Sequence, residues 1–286
     1  MKANYYVIYF IIYFLVICIQ FTTSYINHTA VCFVITRPEQ TMLEFVGELA
    51  LDGLKYGLEI FIMIDDDQFE IPISWIPLYV QTLHISNETC FQNGYRRTTF
   101  VYTWPLEITS WDKTLFYFCE LNLKHSFLWI IEADVFISSV QAFRAVHQLY
   151  SPISDLIVQQ VIPNTIGDTS QWSHYSVAIG RLLPPWYRSM ANILGLSRHL
   201  LNTIAEFIHW RGYNAFHEFS VQTLSLNLNM IVVSPTEFDT LFWRKDHSWD
   251  DVHQKPNNFF HPVKDKVLHK LWHERYSLFL FLSIIG

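Results

Sequence analysis

The run Phe127-Leu-Trp-Ile-Ile-Glu132-Ala-Asp134-Val-Phe-Ile137 constrains the fold more tightly than any other part of the chain. Continuous apolar residues without polar alternation mark a strand buried on both faces, the pattern of a parallel sheet covered by helices. Two carboxylates, one residue apart, follow the last apolar positions. Open α/β sheets bind ligands in the crevice at the carboxyl edge of such strands. A Glu-x-Asp placed there offers oxygen ligands to a hard divalent cation, and the cation can in turn hold phosphate.

The flanking sequence predicts the same class, a mostly parallel α/β sheet flanked by helices. Ala30–Thr36 reads as a short strand, Met42–Tyr56 as a helix closed by Gly57, and Leu58–Ile64 as a second strand ending in Asp65-Asp66-Asp67. A short third strand is expected at Leu83–Ser86. A helix is expected from Ser110 to about Leu123, and another from a Ser138 or Ser139 cap to Tyr150. Asp155–Val161 reads as the next strand. Further on, Ser176–Ile179 reads as a strand, and two prolines make Leu182–Tyr187 a loop, a candidate mobile lid. Helices are expected over Leu196–Trp210 and Glu218–Asn227, a strand over Met230–Val233, and loop from Thr240 to Pro262.

The 286 residues are 51% hydrophobic, enough for a large core, and only 16% charged, which argues against disorder. The net charge is −7 and there is no Lys/Arg stripe, so no nucleic-acid partner is expected.

The N-terminal region is apolar from Tyr5 to Ile19 and carries no charge between Lys2 and Arg37. That is long for a signal-peptide core and just short of the roughly 20 residues of a span, which uncharged Gln20–Ile26 completes. The two readings are a single-pass type II anchor with the body in the lumen of the Golgi or endoplasmic reticulum, and a signal peptide cleaved near Thr22-Thr23-Ser24 with a secreted body. The expected division is residues 1–26 as anchor or signal, 27–275 as the globular domain and 276–286 as an apolar tail. The Asn-x-Thr tripeptides at Asn27 and Asn87 are candidate N-glycosylation sites of a lumenal glycoprotein. Outside the apolar segment Cys32, Cys90 and Cys119 remain, which predicts one disulfide and one free thiol.

Four clusters carry candidate chemistry: Asp65-Asp66-Asp67, Glu132-x-Asp134, His217-Glu218 at the start of a helix, and His261-Pro262-Val263-Lys264. Singly, each has a plain reading as a turn, a helix-end charge or a hydrogen-bonded histidine. Together, in this order, they resemble the GT-A fold glycosyltransferases. The resemblance runs from about Ala30 to Lys270, with Glu132-Ala133-Asp134 as the DxD-like motif, although Glu132 stands where that family has Asp.

The resemblance implies a metal-dependent transferase that moves a sugar from a nucleoside-diphosphate sugar to the hydroxyl of a glycan, glycoprotein or glycolipid, with Mn²⁺ or Mg²⁺ as cofactor. It implies Asp134, His261 and Glu132 as metal ligands. It implies Glu218 on the acceptor side, as base in an inverting reaction or as a positioning group in a retaining one. Asp65, Asp66, Lys113, Glu132 and Lys264 would contact the nucleotide or its phosphates. Trp186 would line the sugar site, with Trp172, Tyr187, Trp243 and Trp249 as further stacking candidates. Two other readings use the same residues: a metal-dependent phosphohydrolase, and a catalytically inactive lumenal protein that binds glycans or a partner.

Overall fold

The computed structural model describes residues 28–96, 108–164 and 180–285. The expected anchor, Asn27, Trp172 and the strand expected at 176–179 lie outside the described residues.

The chain begins with β1 (Thr29–Ile35), α1 (Gln40–Gly53), β2 (Leu58–Ile64), β3 (Val80–Leu83) and α2 (Asn87–Gln92). Then come α3 (Ser110–Phe116), which runs into a π-helical turn at Tyr117–Leu121, β4 (Phe127–Glu132), β5 (Phe136–Ile137) and α4 (Val140–Tyr150). Short strands β6 (Leu156–Ile157), β7 (Ile162–Asn164) and β8 (Trp186–Arg188) precede β9 (Ile193–Ser197). The remainder is α5 (Arg198–Arg211), α6 (His217–Asn227), β10 (Val232–Val233), α7 (Trp249–Gln254), β11 (Phe259–Phe260) and α8 (Lys266–Ile285).

Among the described residues, seven strands form the central sheet in the order β10-β6-β9-β4-β1-β2-β3. All neighbours are parallel except β9, which runs antiparallel to both β4 and β6. Antiparallel pairs β5–β11 and β7–β8 stand apart from it.

The apolar runs are continuous because both faces of the sheet are covered. Val31, Phe33, Ile35, Phe127, Trp129 and Ile131 pack with Leu43 and Val46 of α1 and Phe143 and Val146 of α4. The alternate residues Ala30, Cys32, Val34, Leu128 and Ile130 pack on the other face with Trp111 and Leu115 of α3 and Leu200 and Ile204 of α5. Successive side chains of a strand point to opposite faces, so a doubly covered strand has no polar position to spare.

Several expectations are corrected. Strand β9 was not expected from the sequence. Gly195 interrupts its apolar pattern because a Cβ there would lie 2.9 Å from the Phe127 ring on the neighbouring strand. The third strand lies at Val80–Leu83 rather than 83–86, and Asp155–Val161 contributes only the two residues of β6. The stretch 240–262 is not all loop, since it contains α7 and β11.

The expected disulfide does not form: Cys32, Cys90 and Cys119 are buried free thiols. Each lies on its own element, Cys32 against the Thr114 hydroxyl and Cys119 donating to the Leu201 carbonyl. Burial pushes all three up to about 12. The expected boundary at 275/276 falls inside α8, a continuous helix. Among the described residues, no helix is long and apolar enough to cross a membrane.

Candidate metal and diphosphate site

The parallel strands β1, β2 and β4 bring three loops to one edge of the sheet, and the acidic residues gather there. Glu132 is the last residue of β4, level with Val34 of β1. Asp134 follows in the turn to β5, and its carbonyl accepts the Val263 N–H at 2.8 Å. That bond ties the 261–264 segment to the motif across more than a hundred residues of sequence. The β5–β11 pairing and a bridge between Leu241 and His261 fix the same segment from two other sides.

The ligand atoms of Glu132, Asp134 and His261 lie within 4.8 Å of one another. His261 Nε2 is 3.4 Å from Asp134 Oδ1 and 3.8 Å from Glu132 Oε2. His261 Nδ1 is 2.8 Å from the Phe242 carbonyl. A carbonyl can only accept, so Nδ1 carries the hydrogen and the other ring nitrogen faces two carboxylates. Burial pushes His261 down, but the Asp134 and Glu132 carboxylates outweigh it and hold the imidazole above its ordinary range. A histidine fixed through its second nitrogen by a backbone carbonyl, with the first aimed at carboxylates, has the outer arrangement typical of a metal ligand. The donor set, one imidazole and carboxylate oxygens, suits Mn²⁺.

Glu132 is held from both sides. Its Oε1 accepts from Trp111 Nε1 at 3.0 Å and its Oε2 from Asn192 Nδ2 at 2.7 Å. Burial, then the charge of Asp134, raise its carboxyl above the ordinary range. Neither donor was expected from the sequence. Trp111 lies in a helix that was expected but given no site role, and Asn192 directly precedes the unexpected β9.

Glu218, on the first turn of α6, is 4% exposed, and its Oε2 has no hydrogen-bond partner among the described residues. Burial, then the charge of Glu132, lift its carboxyl well above the usual carboxylate range, while Arg188 pulls it down. The preceding residue, His217, stacks on Trp111 with ring centroids 4.2 Å apart and planes at 14°. Helix α6 and strand β4 therefore meet through Trp111.

Three of the residues expected at the nucleotide or sugar have protein partners. The Lys113 side chain is wholly buried, and its ammonium donates to the Asp65 carbonyl at 2.7 Å and to the Asp67 carboxylate. It anchors the turn after β2. Asp66 is paired with Arg37 at 2.6 Å and accepts the Gln68 N–H at 3.0 Å. The Gln68 and Arg37 hydrogen bonds hold its carboxyl below the usual range. Trp186 belongs to β8 rather than to a free loop. It packs beside Leu182, Phe216 and Phe219, and its indole N–H donates to the Leu182 carbonyl at 2.9 Å. Asp65, whose backbone N–H binds the Ile35 carbonyl, stays at the edge shared with Glu132, and Lys264 is exposed three residues past His261. Asn87 is exposed at the start of α2.

No family model and no curated protein matches the sequence. The solved structures it is similar to include mouse xyloside xylosyltransferase 1 in its apo form, at 9% identity, 82% of this chain, 97% of that chain and a TM-score of 0.40. Another is the galactosyltransferase LgtC in complex with donor and acceptor sugar analogues, at 10% identity, 82% of this chain, 84% of that chain and 0.43. A third is 4-diphosphocytidyl-2C-methyl-D-erythritol synthase from Anaerococcus prevotii, at 10% identity, 72% and 86% coverage and 0.40. Identities and overlaps of this size decide neither family nor reaction.

Proposed function

We propose that this chain is a divalent-metal-dependent glycosyltransferase that moves a sugar from a nucleoside-diphosphate sugar to an acceptor hydroxyl. The observation that carries the reading is His261, locked by the Phe242 carbonyl with Nε2 turned onto Asp134 at the carboxyl edge of a parallel sheet. Asp134 and His261 would hold the ion, Mn²⁺ or Mg²⁺. Bound there, the ion supplies neutralisation of the charge that builds on the leaving diphosphate. Lys264, exposed three residues past His261, would meet a phosphate as a point charge.

Glu218 serves the acceptor. Its unpartnered Oε2 accepts the proton of the acceptor hydroxyl as that oxygen attacks the anomeric carbon in an inverting reaction. A carboxyl raised above its ordinary range is the stronger base once ionised, and such help is worth about 10²–10⁴-fold. In a retaining reaction the same oxygen orients the acceptor.

The test is sugar release or transfer from a panel of nucleoside-diphosphate sugars with and without Mn²⁺. Asp134→Ala and excess chelator should each lower the rate by about 10²-fold or more, the scale of a lost several-kcal/mol electrostatic contribution. Undiminished activity in either would contradict the proposal. Release of inorganic phosphate in place of sugar would favour the phosphohydrolase reading.

The lumenal, membrane-anchored setting in the Golgi or endoplasmic reticulum belongs to the same proposal, supported by the apolar run 5–19 with its uncharged extension to residue 26 and by the exposed Asn87 sequon. Protein made in secretory cells should carry a glycosidase-sensitive mass increment that Asn87→Gln reduces. An increment unaffected by that substitution would count against Asn87 as a glycan site.

A further inference from the structure

We propose that the amino edge of the central sheet is a membrane-docking face, which rests on the bilayer surface and holds the acidic edge away from it. The inference rests on the membrane-anchored reading above and adds to it which face of the domain meets the lipid.

Strands β1, β2, β3, β4, β6 and β10 all run in one direction, so their first residues share one edge. The segments that enter these strands bring large apolar side chains to that edge. Leu54 precedes β2, Leu78 precedes β3, Leu123 precedes β4, Ile153 precedes β6 and Ile231 precedes β10. Each of the five is more than half exposed. One exposed leucine is ordinary on any soluble surface, whereas apolar residues gathered on one side mark a surface that meets something apolar. At the opposite ends of β2 and β4 the chain carries Asp65, Asp66, Asp67, Glu132 and Asp134 instead.

Both ends of the chain point to lipid as the occupant. Strand β1 starts at the same edge, at Thr29, so the apolar run 5–19 and its uncharged extension to residue 26 join the domain there. Helix α8 reaches that edge from the other terminus. Its Lys270 ammonium lies 3.2 Å from the Glu44 carboxylate, and its His273 ring stacks on Phe45 with centroids 4.7 Å apart. Tyr276 and Ser277 line a cavity with Glu48 and Asp52. Later residues of α8 thus meet later residues of α1, so the two helices run parallel, from the end of β1 toward the start of β2. Helix α1 stops at Gly53, whereas α8 continues past Ser277 to Ile285, about 12 Å further at 1.5 Å per residue. The residues of that overhang, Leu-Phe-Leu-Phe-Leu-Ser-Ile-Ile, follow Arg275, the last charged side chain. An apolar stretch of this length is too short to cross a bilayer and fits the boundary between headgroups and acyl chains. The seven residues of β1, at roughly 3.3 Å each, then stand the acidic edge about 20 Å from the docked one. The site is thereby turned toward acceptor hydroxyls that stand clear of the lipid headgroups.

The experiment is fluorescence quenching on the full chain reconstituted into phosphatidylcholine vesicles. Single bimane labels are attached through Leu54→Cys, Leu123→Cys, Ile153→Cys and Ser283→Cys, and through Lys264→Cys at the opposite edge. The unsubstituted chain, whose thiols Cys32, Cys90 and Cys119 are buried, is the labelling blank. Brominated acyl chains should quench the first four labels by about half or more, the response of a probe sunk into the headgroup and acyl boundary, and leave the label at 264 unchanged. Four unquenched labels on vesicles that still carry the protein would overturn the docking face and leave the anchor standing. Labels shielded from aqueous iodide yet untouched by brominated lipid would assign the face to a second copy of the chain and overturn it as well. Equal quenching at 264 would contradict a fixed orientation. A full chain that fails to float with the vesicles would remove the anchored reading and this inference together.

Discussion

Lys113 shows how a residue type can suggest one role and its surroundings assign another. A lysine near an acidic edge suggests a phosphate contact, yet its ammonium is buried and divided between the Asp65 carbonyl and the Asp67 carboxylate. Lys113→Met keeps the aliphatic stem and removes the charge. It should cost about 1.5–3 kcal/mol in denaturant unfolding, the usual value of hydrogen bonds to a charged group. A raised Michaelis constant at unchanged stability would restore the ligand-contact role instead. Asp66 likewise has a protein partner, Arg37. By contrast Glu132, Asp134 and His261 were legible as one set because they sit at positions the fold class brings to an edge. What sequence could not supply was their partners. Asn192, Trp111 and the Phe242 carbonyl reach the trio through tertiary contacts, and none has a fixed spacing from the residue it orients.

At the scale of elements, the strands that were legible are those with continuous apolar runs: β1, β2 and β4. Strand β9 was not, because Ile193-Leu194-Gly195-Leu196-Ser197 is short and carries a glycine, a residue that weakens strand signals. That glycine makes room for the Phe127 ring on β4, so Gly195→Ala should destabilise by about 1–3 kcal/mol through overpacking. An unchanged melting temperature would show that the β4–β9 contact relaxes freely. The α4–β4 junction has a pH dependence of its own. Trp129 Nε1 donates to His147 Nδ1 at 3.2 Å, so His147 is neutral there, and burial pushes it down to about 4. A group depressed from its unfolded value near 6.5 gives stability that is present above that pH and lost as pH falls toward 4. Replacing His147 with Gln should therefore cost most above pH 7, and the cost should shrink through the window from 6.5 to 4. A cost independent of pH would contradict this assignment.

The whole molecule is a sheet covered on both faces whose carboxyl edge collects the acids, and the cover explains why the site lies at that edge. Every position in the middle of β1, β2 and β4 is filled by apolar packing, so polar chemistry is left to the residues where the strands end. Glu218 enters from α6 at the same place, buried and without a partner for Oε2, and its carboxyl is raised further by the charge of Glu132. The class of the fold was readable because hydrophobic runs and their spacing decide it. The antiparallel β9, the three unpaired thiols and the clamp on Glu132 depend on which elements become neighbours, which one sequence does not state. The most direct measurement of the central claim is thermal unfolding with Mn²⁺ and a panel of nucleoside diphosphates, for the parent and Asp134→Ala. A diphosphate at about 100 times its dissociation constant should stabilise the parent by near 2.7 kcal/mol. That gain should require Mn²⁺ and be absent in Asp134→Ala. Equal stabilisation of both proteins, or stabilisation that survives a chelator, would contradict a metal-held diphosphate at Asp134 and His261.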